Sequence, residues 1–203
     1  MRPFYRFAKK LTHVFFRVCG GKVENAHRMH EWQGGILAAN HISLLDPPLV
    51  GCVFPAEISF LAKRELFGSK LLGPLITALN AIPIRRGTID RHATVKVQQI
   101  LERGQSILIF PEGSRRNFTA RPGIGKLALQ TQVPVLPLYL EHTNDVLGSL
   151  FRRRRMRIVA GPPIPVETIA SFKDTKEGYR ALSEHILHCI NALSGIQSDE
   201  TNE

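Results

Sequence analysis

"GGILAANHISLLDPP", residues 34–48, is the stretch on which the fold turns. Two glycines lead into the apolar run Ile36 to Ala39, which reads as a buried strand ending at Asn40 and His41. Asp46 follows after four mostly apolar residues, with Pro47 and Pro48 behind it. A short acceptor followed by proline is a helix-start signature, so Asp46 is expected to cap a helix opening at the two prolines. A second role is compatible with the first: the carboxylate of Asp46 holding His41 as a general base.

Beyond this stretch, short apolar runs alternate with helical ones. "ISFLAK" (58–63), "AIPIRR" (81–86), "SILIF" (106–110), "VPVLPLYLE" (133–141) and "RIVAG" (157–161) read as strands. "LFGSKLLGPLITAL" (66–79), "TIDRHATVKVQQILERG" (88–104), "GIGKLALQTQ" (123–132) and "YRALSEHILHCINAL" (179–193) read as helices. Gly73 and Pro74 predict a break or kink in the first of these, and the second is expected to open at Thr88 and close at Gly104. Pro83 favours an edge or bulged strand. The continuous apolar run 106–110 belongs in the middle of a sheet covered on both faces. The alternation implies an α/β fold: one domain with a mixed, largely parallel sheet flanked by helices. Functional groups in such sheets gather just beyond the strand carboxyl ends, where His41, Lys63, Arg86 and the loop after Phe110 fall.

Upstream, residues 1–21, "MRPFYRFAKKLTHVFFRVCGG", read as a basic amphipathic helix. Phe4, Phe7, Leu11, Val14, Phe15 and Val18 recur at helical spacing, while Arg6, Lys9, Lys10, His13 and Arg17 take other positions. Such a helix suits an interfacial membrane anchor, or else packs on the domain with its charged face solvated. The chain thus divides into an N-terminal helix (1–21), the α/β domain (22–193) and a polar tail (194–203).

At 203 residues with 43% apolar side chains, the chain suffices for one domain with a substantial core. Lys and Arg number 27 against 17 Asp and Glu, a net charge of +10 that calls for polyanionic company: nucleic acid, anionic lipid or phosphorylated substrates. A basic nucleic-acid-binding domain is disfavoured, because the aromatics concentrate at the amino terminus and no recognised binding motif accompanies the charge. The three cysteines, at 19, 52 and 189, have neither metal-ligand spacing nor a disulfide framework, which favours a reducing compartment. No apolar stretch reaches the ~18 residues of a membrane span, and the first residues lack a secretory-signal pattern. The expected location is the cytoplasmic face of a membrane, with peripheral contact.

Two further segments carry chemistry-bearing side chains. "FPEGSRRN" (110–117) delivers Glu112, Gly113, Ser114, Arg115 and Arg116 at a strand end. The acid can accept from a hydroxyl and the arginines can grip a phosphate, although the same residues also suit a self-paired surface turn. "NAIPIRRG" (80–87) ends a strand with Arg85 and Arg86, of which the pleat sends only one towards a shared site.

Taken in order, "NHISLLDP", "AIPIRRG", "FPEGSRR" and "VPVLPLYL" resemble the four blocks of the glycerolipid acyltransferase family, typified by lysophosphatidic acid acyltransferase. His41 and Asp46 match the first block, Arg86 the second, Phe110 to Arg115 the third, and Val133, Pro134 and Pro137 the fourth. "KREL" (63–66) resembles the family's lysine-bearing segment, and the likeness runs from about residue 34 to 141. Asn80 stands where the second block usually begins with glycine, Arg85 where an acid is common, and Arg116 where a small polar residue is frequent. These departures bear on the acceptor.

The resemblance implies transfer of a fatty acyl group from a thioester, acyl-CoA or acyl-ACP, to a lysophospholipid hydroxyl, with no other cofactor and no metal. His41 would act as base, its ordinary pKa of about 6.5 suiting the task, and Asp46 would fix its tautomer. Arg86 and Arg115, with Lys63 and Arg116 in support, would hold the acceptor phosphate, Glu112 and Gly113 would position its glycerol, and Ser114 would join them in binding substrate. The expected partners are those substrates, an anionic membrane surface and acyl carrier protein, without nucleic acid. Ser43 reads as a turn hydroxyl. The backbone amides after His41 are candidate oxyanion donors. "FRRRRMR" (151–157) suits lipid headgroups or coenzyme A phosphates, or else a solvated loop.

Overall fold

The computed structural model describes residues 2–85, 90–113, 119–151 and 153–195. Seven strands form one sheet: β1 (Lys22–Glu24), β2 (Gly35–Ala39), β3 (Ile58–Lys63), β4 (Ala81–Ile84), β5 (Ser106–Ile109), β6 (Val135–Glu141) and β7 (Arg157–Ala160). Their order is β1-β7-β6-β2-β5-β3-β4. The run β6-β2-β5-β3-β4 is parallel, β7 is antiparallel to β6, and β1 is parallel to β7. The fold is therefore the expected mixed, largely parallel α/β sheet.

The helices are α1 (Pro3–Val18), α2 (Ala26–His30), α3 (Asp46–Val53), α4 (Leu72–Ala78), α5 (Arg91–Glu102), α6 (Pro122–Thr131), α7 (Val146–Leu150), α8 (Val166–Ala170) and α9 (Lys176–Ala192). On one face of the sheet, Leu37, Ala39, Phe60, Leu108 and Leu138 pack under Phe16 of α1, Met29 of α2, Leu49 of α3 and Ile76 of α4. On the other face, Ile36, Ala38, Ile82 and Ile107 meet Val97 of α5, Ala128 of α6, Ile169 of α8 and Ile186 of α9.

Strand β2 is buried at every position, which explains both its apolar composition and its two leading glycines. Gly34 has φ 127°, and a Cβ there would lie 2.2 Å from the carbonyl oxygen of Gly104. A Cβ on Gly35 would lie 2.5 Å from that of Pro134. The strand can only enter between β5 and β6 where side chains are absent.

Pro83 lies on the edge strand β4, as expected, and β5 lies inside the sheet. The predicted helix 66–79 resolves into a 3₁₀ segment (Arg64–Gly68) followed by α4. Pro74 sits in the first turn of α4, where its missing N–H costs nothing. Helix α5 opens behind Asp90, whose carboxylate accepts from Ala93 N–H at 3.2 Å, so the start expected at Thr88 is displaced by the better cap. Thr88 itself lies outside the described residues, as does 196–203 of the tail.

Helix α1 packs on α3 through a face that takes only Phe15 from the apolar stripe. Tyr5 and Phe16 are buried, the Tyr5 hydroxyl accepts from Ile58 N–H at 3.1 Å, and Lys9 donates to the carbonyls of Phe54 and Pro55. Phe4, Phe7, Leu11, Val14 and Val18 remain exposed. Among the described residues no helix is long and apolar enough to cross a membrane.

Helix α6 packs closely on α9. Gly125 N–H donates to Ser183 Oγ at 2.9 Å, and a Cβ on Gly125 would lie 2.1 Å from the Tyr179 carbonyl oxygen. Gly125→Ala is expected to cost roughly 1–3 kcal/mol of stability by overpacking. A thermal midpoint equal to the wild type would remove this contact from the core account.

Candidate active site

Because β2, β5, β3 and β4 run parallel, their carboxyl ends share one edge of the sheet, and β6 ends beside them. His41 leaves the end of β2. The ladder is continued there by a side chain: Asn40 Nδ2 donates to the Leu140 carbonyl at 2.9 Å, and Leu140 N–H donates to Asn40 Oδ1 at 2.7 Å. This pairing replaces a backbone rung, so the chain can turn out of the sheet at His41 without orphaning β6.

Asp46 is fully buried, and its carboxylate is saturated with donors. Oδ2 lies 2.8 Å from His41 Nδ1 and accepts the backbone N–H groups of Ile42 and Ser43, each at 2.8 Å. Oδ1 accepts the hydroxyl of Thr143 at 2.5 Å. A buried carboxylate is tolerable only with such partners. The cap expected of Asp46 is not made: α3 begins at Asp46 itself, without a side-chain cap. Pro47 and Pro48 have no N–H to offer, and Leu49 N–H already bonds the Leu45 carbonyl at 2.9 Å. The carboxylate turns back onto the preceding loop instead.

With Nδ1–H donated to Asp46, the lone pair of the neutral ring lies on Nε2. The ring is held from the side as well. Phe110 stacks on it with centroids 4.0 Å apart and planes inclined by 20°, a contact of about 0.5–1.5 kcal/mol. The His41 side chain is 11% exposed. An imidazole so fixed, with one nitrogen paired to a carboxylate and the other bearing a lone pair, has the geometry of a general base.

The loop after β5 closes the site from the neighbouring strand. Glu112 is buried, and its Oε2 accepts the backbone N–H of His41 at 3.1 Å. Burial pushes the Glu112 carboxyl up, the His41 amide and ring oppose this, and the Asp46 charge adds to it. A carboxyl raised in this way contributes stability at acid pH that is lost as pH rises through its folded value. Gly113 has φ 68°, which favours glycine, and a Cβ there would lie 2.8 Å from Arg121 Cδ.

Four of the backbone amides after His41 already have acceptors within the loop. Ile42 and Ser43 amides serve Asp46, Leu45 N–H donates to Ser43 Oγ at 3.1 Å, and Asp46 N–H to the Ser43 carbonyl at 3.4 Å. Ser43 is thus the turn hydroxyl its position implies. No cysteine offers a thiolate in its place: burial raises all three thiols, that of Cys52 to about 12. Among the described residues no group of three or more His, Cys, Asp or Glu is arranged to hold a metal.

Lys63 ends β3 on the same edge and is exposed. With β5 between them, its strand stands about 10 Å from β2, two strand spacings, so Lys63 borders the site without belonging to the His41–Asp46 pair. Arg86, Ser114, Arg115 and Arg116 lie outside the described residues. Arg85 N–H donates to Asp90 Oδ2 at 3.0 Å, tying β4 to α5. Asn80 has φ 66°, so the residue standing in a glycine's place is one that tolerates the left-handed region. Thr143, Asn40 and the stacking role of Phe110 escaped the sequence reading. Thr143 lies two residues past a predicted strand, but nothing in the sequence says that this strand neighbours β2.

Residues 21–141 match the family model described as Acyltransferase. A 1-acyl-sn-glycerol-3-phosphate acyltransferase of Bacillus subtilis is 25% identical over 193 residues, covering 93% of this chain and 96% of its own. A Streptococcus pneumoniae protein of the same name is 28% identical over 194 residues, covering 91% and 71%. A lyso-ornithine lipid O-acyltransferase of Pseudomonas aeruginosa is 37% identical over 112 residues, covering 53% and 43%. The crystal structure of a 1-acyl-sn-glycerophosphate acyltransferase from Thermotoga maritima shares the fold, with a TM-score of 0.61 at 22% identity over 98% of this chain and 86% of that one.

Thr143→Val leaves Asp46 Oδ1 without its donor, and is expected to lower kcat about tenfold or more with little change in KM and a shifted pH–rate profile. Thr143→Ser is expected to restore both. Equal kinetics for the valine and wild-type proteins would leave the hydroxyl a packing group.

Proposed function

As this chain belongs to the acyltransferase family, we propose that it moves a fatty acyl group from an acyl thioester, acyl-CoA or acyl-ACP, to the free hydroxyl of 1-acylglycerol-3-phosphate, giving phosphatidic acid. The observation that carries this reading is the His41–Asp46 contact at 2.8 Å, ringed by buried donors and stacked on Phe110. The likeness to the Bacillus subtilis protein over nearly both full lengths supports the acceptor.

Chemistry follows from the tautomer. An alcohol is a weak nucleophile towards a thioester until its proton leaves as the new bond forms. His41 Nε2 takes that proton, the acceptor oxygen bonds the carbonyl carbon, and the carbonyl electron pair moves onto oxygen. Asp46 stabilises the imidazolium meanwhile. Collapse breaks the C–S bond, and the imidazolium returns its proton to the departing thiolate. The attacking group is the acceptor itself, so no side-chain nucleophile is required. Arg86 and Arg115, with Lys63 and Arg116, hold the acceptor's phosphate, Glu112 and Gly113 fix its glycerol, and Ser114 completes the substrate-binding set. Glu112 has a second duty, since its bond to His41 N–H links the block-three loop to the base.

Membrane contact is assigned to α1. Its exposed Phe4, Phe7, Leu11, Val14 and Val18, with exposed Arg6, Lys10 and Arg17 alongside, suit peripheral binding to anionic lipid on the cytoplasmic face. A second reading changes only the acceptor. The higher identity to the Pseudomonas aeruginosa protein, over a shorter span, favours another lysolipid.

Purified protein offered a panel of lysolipids with both thioester donors is expected to form phosphatidic acid, identified by mass spectrometry. His41→Ala is expected to lose about 10³-fold or more in rate with an unchanged circular dichroism spectrum. Turnover within tenfold of wild type removes His41 from the role of base, while acylation of lyso-ornithine lipid alone moves the acceptor to the second reading.

A further inference from the structure

Helix α7 is amphipathic the wrong way round for a packed element. Ser149 is buried and Val146 packs against the core beneath α1 and α3, whereas Leu147, Leu150 and Phe151 are 69%, 48% and 71% exposed. These side chains ride on a fixed turn. The Asp145 carboxylate accepts Gly148 N–H at 2.9 Å, and the amides of Arg153 and Arg154 close on the Gly148 carbonyl at 2.8 and 3.2 Å. The exposed side chains of Arg153, Arg154 and Arg155 follow at once, with Arg154 3.9 Å from Asp145.

The place of this knob matters. Thr143, which holds Asp46, lies two residues before the Asp145 cap. Leu44, 67% exposed, projects from the loop between His41 and Asp46. An apolar knob with a cationic collar therefore starts just beyond the residue that holds Asp46.

We propose that α7 and Arg153–Arg155 form a second contact with an anionic bilayer, seating Leu147, Leu150 and Phe151 at the acyl boundary and the guanidinium groups among headgroup phosphates. Charge complementarity favours lipid as the occupant. So does size: one exposed turn falls far short of the roughly 800 Å² per partner of a stable protein interface, whereas a bilayer needs no matching shape. With α1 as the first contact, the acceptor reaches His41 from the lipid without crossing water. This deepens the acyl-transfer reading and rests on it for the kinetic arm of the test alone.

The test uses the full chain and vesicles of phosphatidylcholine with or without phosphatidylglycerol. Leu147→Ser with Phe151→Ser, and separately Arg153→Gln with Arg154→Gln and Arg155→Gln, are expected to weaken co-sedimentation with the anionic vesicles at least about tenfold. Circular dichroism and transfer to a water-soluble short-chain acceptor are expected to stay within twofold of wild type, while transfer to a vesicle-embedded acceptor falls with binding. Vesicle binding unchanged in both variants, with loss only on Phe7→Ser and Leu11→Ser in α1, overturns the proposal. So does a changed oligomeric state of the α7 variants, which makes the knob a protein interface. Absence of transfer by the wild type to every acceptor would strike the acyl-transfer reading, and the binding arm would still decide this one.

Discussion

A carboxylate taken out of water must be met by donors, and at Asp46 four donors come from two separated parts of the chain. His41, Ile42 and Ser43 lie on the loop leaving β2, and Thr143 lies on the loop leaving β6. Hydrogen bonds to a charged group contribute about 1.5–3 kcal/mol each, and a missing one costs more because the charge stays buried. This single carboxylate therefore fixes the loop, the start of α3 and the imidazole together. The site is rigid because its hydrogen-bond demand leaves the loop little freedom.

That arrangement needs β2 between β5 and β6, and the sheet order supplies it. On one side β6 brings Thr143 and pairs with Asn40; on the other β5 brings Phe110 to the ring and Glu112 to the His41 amide. Gly34 and Gly35 make room at the far end of the strand. The proposed base is thus gripped from both flanking strands, while Lys63 and β4 stand further along the same edge.

Much of this was legible in the sequence. The buried strands announced themselves by apolar runs, Pro83 marked the edge, and the blocks around His41 and Glu112 carried the family. The misses have physical reasons. Strand β1 and helices α2, α7 and α8 span three to five residues, too short for any periodicity to show. Acid-plus-proline at Asp46 fits a cap, whereas Pro48 has no N–H at the second helical position and Leu49 N–H is spent on the Leu45 carbonyl. Thr143 and Asn40 depend on β2 lying beside β6, a long-range adjacency that local pattern does not carry. The Ile42 and Ser43 amides are taken by the Asp46 carboxylate, a pairing that residue spacing alone does not show.

Everything at this site turns on Asp46 holding neutral His41 with its proton on Nδ1 and its lone pair on Nε2. Long-range ¹H–¹⁵N correlation spectra of the imidazole, recorded above its titration, read this tautomer directly. Nδ1–H is expected to dominate in the wild type and to lose that dominance in Asp46→Asn. A ring protonated chiefly on Nε2 in the wild type would contradict it.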